Sequence, residues 1–328
     1  MYVFINYLRT IATVLITNSH YSNIWPISAL AAGGLLGNIL FFAASGFCLF
    51  NVKENFIKWY AKRILRIYPV MIAFTLLAVC IGDYPLNSWA HARRLFLFPT
   101  NYTFIVWLML AYIAFYIVAW LSKKYDKCTE ISLSVVVVAW LIVYFVWIDK
   151  SVYCIDNVEK PFILFLYFSS MLMGALFKKY KQRFSKVKKA DIVFLFVSII
   201  VYFGTKIIFS KVQKVVSWQI LNQFTILIAL YFTFVVFFGL EERLKRLPNW
   251  VNRTVEFLAK ITLHIYIVQF VLIRRLEGLI FPLNFVLTTL AILAAASVLY
   301  LAEHYVRKGV LYLVDKTKGK KQNAESND

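Results

Sequence analysis

Apolar runs long enough to cross a bilayer follow one another almost from end to end of this chain. A hydrocarbon core about 30 Å thick takes roughly 20 apolar residues per helix, and its interior offers no water to satisfy a free backbone group. A chain built this way has one economical solution, an all-α polytopic transmembrane bundle. Ten spans are expected: Val3–Ser19, Ala29–Phe50, Ile67–Gly82, Tyr102–Leu121, Ile131–Ile148, Pro161–Phe177, Ile192–Phe209, Trp218–Leu240, Thr254–Ile273 and Phe281–Tyr305. The length of 328 residues would also suit two soluble domains, but 61% hydrophobic and only 16% charged residues exclude them. The expected division is a membrane domain over 1–315 and a polar, disordered cytoplasmic tail over 316–328. The first run lacks a basic leader and a small-residue cleavage site, and Arg9 interrupts it, so it reads as a retained span and not as a signal peptide.

The formal net charge is +20. In a soluble protein that would point to nucleic acid. Here the basic residues sit between the apolar spans, where they set orientation and meet anionic headgroups, so nucleic acid is not an expected partner and the bilayer is. Of the 36 Lys and Arg, 25 fall on one set of alternating connections and the tail, and 8 on the other. That asymmetry puts both termini in the cytoplasm. The four cysteines, Cys48, Cys80, Cys128 and Cys154, are too far apart in sequence to form a metal or redox pair. No metal and no bound cofactor is expected.

Polar groups within a span cost free energy and mark function or helix contact. The first span carries Asn6, Arg9, Thr13, Thr17 and His20. At about 100° per residue they fall within an arc of about 80°, with Arg9 near mid-membrane and His20 about 16 Å further along the axis, at the outer edge. In the ninth span Thr262, Tyr266 and Gln269 share a face within about 60°. They either line a polar cavity or hydrogen-bond a neighbouring helix. Ser45-Gly46 lacks the context of a nucleophile elbow, and with Gly33, Gly34 and Gly37 it reads as close helix packing. His91, His264 and His304 suggest no chemistry by their positions.

Several segments resemble one family in order. Arg9 and His20, with ten residues between them, resemble the R/K-x10-H signature of the membrane acyltransferase-3 family. Leu40–Phe47 resembles its FFxxSGF run, Arg63–Pro69 its RxxRIxP segment, and Trp107-Leu108 with Tyr116 its WFL…Y pattern. Leu258–Ile267 and Glu303 resemble its closing segments. The chain departs from the pattern at Thr262, where the family has Ser, at Gln269, where it has His, and at Ala111, near a Glu of some members. The resemblance implies a bacterial inner-membrane O-acyltransferase. It would move an acyl group, by default acetyl from acetyl-CoA, from the cytoplasm to a hydroxyl of a surface polysaccharide such as O-antigen, or of its lipid-linked precursor.

Residue chemistry agrees with that expectation. An acceptor hydroxyl needs a general base, and His20 titrates in the useful range. Arg9 would either stabilise the oxyanion formed at the thioester or guide the acyl-CoA. Arg63 and Arg66, three apart, present guanidinium forks suited to the donor's phosphates. Thr13, Thr17, Thr262, Tyr266 and Gln269 are the candidate cavity-lining residues. The competing expectation is a transporter or flippase of glycan or lipid intermediates, which would show repeats and interrupted spans; neither is apparent. A glycan polymerase would need a larger outer loop than Asp83–Asn101.

Overall fold

The structure, a computed structural model, describes residues 2–97, 99, 102–184 and 186–325. Ten long helices account for most of it: α1 (Val3–Ser19), α2 (Gly34–Leu49), α3 (Phe56–Cys80), α4 (Thr103–Leu121), α5 (Cys128–Trp147), α6 (Ile163–Lys179), α7 (Lys189–Lys211), α8 (Ile220–Gly239), α9 (Asn249–Leu276) and α10 (Leu283–Glu325). Among the described residues there are no strands. Each helix coincides with one expected span. Eight segments are long and apolar enough to cross a membrane. The other two helices, α1 and α6, have 17 residues each. The last helix runs into the polar segment expected as a tail; the side chains there, and residues 326–328 altogether, lie outside the described residues.

Burial has the inverted logic of a membrane protein. On α5 the exposed side chains are Ile131, Val135, Val138 and Ile142, a stripe at helical spacing, while Thr129, Trp140 and Tyr144 turn inward. Polar side chains gather inside the bundle, including Asn38, Ser169, Asn222 and Gln223. The centre is α2, which packs against α1 on one side and α6 on the other. The α2–α6 approach depends on two glycines. A Cβ on Gly46 would come within 1.9 Å of the Met171 carbonyl oxygen, and one on Gly174 within 1.9 Å of that of Ala43.

A second boundary, the start of α3, also falls well away from its expected place. Helix α3 begins at Phe56, not near Ile67, and is capped by Asn55, whose Oδ1 accepts a hydrogen bond from the Lys58 amide at 3.0 Å. The charged residues from Lys58 to Arg66 interrupt the apolar run without breaking the helix. Arg63 and Arg66 therefore project from helical positions.

Helix α1 is anchored from a distance. Glu241, buried in the short helix Glu241–Lys245, accepts hydrogen bonds from the Val3 and Phe4 amides at 3.0 and 2.7 Å. These are free donors of a helix N-terminus, where a carboxylate is favoured. Glu241→Gln should therefore lower thermal stability by about 1–2 kcal/mol, measured by thermal unfolding in detergent. An unchanged unfolding profile would show that the contact contributes little. His264 Nε2 lies 2.9 Å from Glu303 Oε2 and joins α9 to α10.

Candidate functional site

The polar stripe of α1 divides among three surroundings. Its Thr residues form a seam with α9. The Thr13 and Thr262 hydroxyls lie 3.1 Å apart, and Thr17 Oγ1 donates to Gln269 Oε1 at 2.9 Å. Tyr7 and Thr10 extend the seam, donating to Asn252 Oδ1 at 3.0 Å and to the Val255 carbonyl at 3.2 Å. Four of the five residues offered as cavity lining thus pair across a helix contact. The fifth, Tyr266, faces a cavity.

Arg9 points away from the seam. Its guanidinium lies 5.7 Å from the centroid of the Phe41 ring and interacts electrostatically with Arg66, Cys48 and Tyr112. Arg63 lies flat against Trp59, 4.2 Å from its ring, and donates to the Trp59 carbonyl at 3.0 Å. Tyr112, buried on α4, lies near Ser45 and within electrostatic reach of Arg9, Arg63 and Arg66 together. Among the described residues none of the three arginines forms a salt bridge, and the one carboxylate that acts on Arg63, that of Glu54, is paired with Lys62. Converging cations repel one another unless an anion joins them. Several guanidinium forks in one place suit a ligand with more than one phosphate.

His20 lies at the other end of α1, in a cavity of about 510 Å³. Asn38, Trp107, Asp156, Glu159 and Tyr266 are among its walls. The His20 ring meets Phe270 edge-on at 4.7 Å, and among the described residues it makes no hydrogen bond. A neutral imidazole so placed keeps a lone pair for an incoming hydroxyl. Asn38 Nδ2 donates to the Tyr167 hydroxyl at 2.8 Å, and Tyr167 stacks on Phe42 at 4.5 Å. The phenol proton stays available to the cavity, which Tyr167 also lines. Part of the wall is the loop after α1. Asn18 holds it, donating from Nδ2 to the Leu30 and Ala32 carbonyls at 2.8 and 3.1 Å while Oδ1 accepts from the Trp25 indole at 2.9 Å.

Arg9, Arg63 and Arg66 therefore come together, and His20 stands apart from them. Sequence reasoning missed Ser45, Tyr112, Asn38, Tyr167, Asp156 and Glu159 as parts of these two places. Asn38, a polar residue inside an apolar span, carried a usable signal. Tyr112 and Tyr167 carried none, being two among 20 tyrosines.

A family model described as an acyltransferase domain, that of the membrane acyltransferase-3 family, matches residues 2–303. No curated protein and no solved structure matches the chain.

Proposed function

This chain belongs to the membrane acyltransferase-3 family, whose activity is acyl transfer on membrane substrates, and from that premise we propose that it is an O-acyltransferase of the bacterial inner membrane. It takes an acyl group, acetyl in the simplest case, from cytoplasmic acyl-CoA to a hydroxyl of a surface polysaccharide or its lipid-linked precursor. The observation that carries this reading is the pair of chemically different ends on one helix. An arginine cluster that forms no salt bridge among the described residues surrounds Arg9, and His20 lines a cavity eleven residues later, about 16 Å along the axis.

In this reading all ten long helices cross the bilayer and both termini are cytoplasmic, as the charge asymmetry favours. The arginine end then faces the cytoplasm, where acyl-CoA is found, and the cavity opens on the other side. Arg63 and Arg66 hold donor phosphates, and Arg9 draws the thioester arm along α1. His20 takes the proton of the acceptor hydroxyl as its oxygen attacks the thioester carbonyl. The tetrahedral oxyanion collapses, the C–S bond breaks, and coenzyme A leaves as the thiol after regaining that proton. The sugar keeps the acyl group as an ester.

Reporter fusions check the frame. Fusions at Lys181 and Lys245 should report cytoplasm, and fusions at Asn87 and Asp156 the opposite side. A cytoplasmic signal at Asp156 would overturn the ten-span arrangement. The donor end has its own test. Arg63→Ala and Arg66→Ala should each raise the KM for acyl-CoA roughly tenfold with a smaller change in kcat, because phosphate contacts are made equally in ground and transition states. Arg66→Lys should restore only part. Unchanged donor dependence in both Ala variants would leave these arginines as topology determinants alone. The function itself is tested by mass spectrometry of surface glycans from strains with and without the gene. A gene-dependent gain of one acyl mass is the expected result, and identical spectra would contradict it.

A further inference from the structure

The wall of the His20 cavity opposite α1 is a fastened loop, and its charges are arranged asymmetrically. Gln219, fully buried on the approach to α8, accepts from the Cys154 and Ile155 amides at 2.8 and 3.2 Å and donates to the Val152 carbonyl at 2.9 Å. Asp156 follows on this loop. Its Oδ2 accepts from Tyr153 at 2.8 Å and lies 2.6 Å from Lys206 Nζ, and its Oδ1 accepts from Gln223 at 3.0 Å. The Asp156 carboxylate is thereby satisfied from three sides, and only 14% of its side chain is exposed. Lys206 is more open and keeps donors beyond that one bond. Glu159 lies three residues on, exposed, and among the described residues it forms no ion pair. The indole of Trp107 donates to the Val158 carbonyl at 2.7 Å, which fixes its ring beside Glu159.

We infer that this cavity is an acceptor subsite for a sugar ring bearing no acid group, with Glu159 and Lys206 as the residues that set this specificity. The inference rests on the acyl-transfer reading above. A sugar presents hydroxyls on its edges and an apolar C–H face. Lys206 donates to hydroxyl oxygens, Glu159 accepts from hydroxyl protons, and Trp107 supplies a fixed apolar wall for the face. The Asp156–Lys206 pair cancels, which leaves Glu159 as the net charge of the cavity while His20 is neutral. A carboxylate or phosphate on the ring would meet that charge directly. Lys206, whose charge is already balanced by Asp156, offers such a group its remaining hydrogen-bond donors but no unpaired positive charge. The charge pattern therefore selects against anionic rings.

The test begins with the glycan whose acyl group depends on the gene. Fragmentation mass spectrometry should place that group on a ring without a carboxylate or phosphate. An acyl group on a uronic, ulosonic or phosphorylated ring would overturn the inference and leave acyl transfer standing. Absence of any gene-dependent acyl group would remove both. The second arm uses the purified full chain in liposomes with acyl-CoA as donor. The methyl glycoside of the identified sugar and its carboxylate-bearing counterpart compete as acceptors. Glu159→Lys should reduce the preference for the uncharged ring by about tenfold or more with the KM for acyl-CoA unchanged, whereas Glu159→Gln should move it less. A preference that Glu159→Lys does not alter would overturn the assignment, and a loss of fold would change donor KM as well.

Discussion

His20→Ala should lower kcat for acyl transfer by about 10²–10⁴-fold while the protein stays inserted and folded and its KM for acyl-CoA is unchanged. The expectation follows from where the ring sits. His20 closes α1, lines the cavity and packs edge-on against Phe270, and its ring has no hydrogen-bond partner among the described residues, so no side-chain network depends on it. Removing it empties a space beside the acceptor and leaves the distant arginine cluster intact. A loss confined to kcat is what a missing base produces, because proton removal is an interaction of the transition state. Wild-type activity should also fall as pH drops through the pKa of His20, since the imidazolium has no lone pair to offer; the Ala variant should lose that limb. Near wild-type glycan acylation by His20→Ala at normal expression would remove the residue from the mechanism.

Gly46→Ala and Gly174→Ala carry the largest expected effect on the fold. Each added Cβ meets a backbone carbonyl at 1.9 Å, across the contact of α2 with α6. Carbonyl oxygens within a helix cannot rotate away, so the two helices must separate along their length. Overpacking commonly costs about 1–3 kcal/mol, and a clash with backbone belongs at or above the top of that range. In a bilayer, close packing is itself a main source of helix association, so the loss is not recovered elsewhere. Both variants should show a strongly lowered unfolding temperature in detergent and little protein in the membrane. A stability within 0.5 kcal/mol or so of wild type, the range of an ordinary surface change, would mean that α2 and α6 do not approach as closely as this.

Apolar length made the helices legible. No charge or turn signal was needed to find α5 or α8, because only a helix satisfies its backbone in hydrocarbon. The start of α3 was hidden for the opposite reason. Lys58, Lys62, Arg63 and Arg66 break the apolar pattern but not the helix, and hydropathy cannot tell a charged helical turn at an interface from a loop. Within the site, the angular position of Arg9, Thr13, Thr17 and His20 was readable from spacing alone. Their partners were not. A stripe states which face is polar and leaves open what it meets, and here Thr13 meets Thr262 while Arg9 meets a cluster centred on Tyr112. The contacts that shape the His20 cavity join residues far apart in the chain, as with Asn38 and Tyr167 or Asp156 and Lys206. Such pairs have no local signature, and only the packing of α2, α6 and α7 brings them together.

A protein that takes its donor at the arginine end, on the cytoplasmic face, and delivers the acyl group at the His20 end, on the other, must couple two faces of the membrane. Sealed membrane vesicles of the two orientations separate these faces. Acyl-labelled acetyl-CoA is added outside inverted vesicles, which expose the cytoplasmic face, and outside right-side-out vesicles, which do not. Gene-dependent label should enter the glycan enclosed by inverted vesicles and be absent from right-side-out vesicles given the same donor. Equal incorporation in right-side-out vesicles, or label confined to acceptors on the donor's own side, would contradict a transfer that runs along α1 from Arg9 to His20.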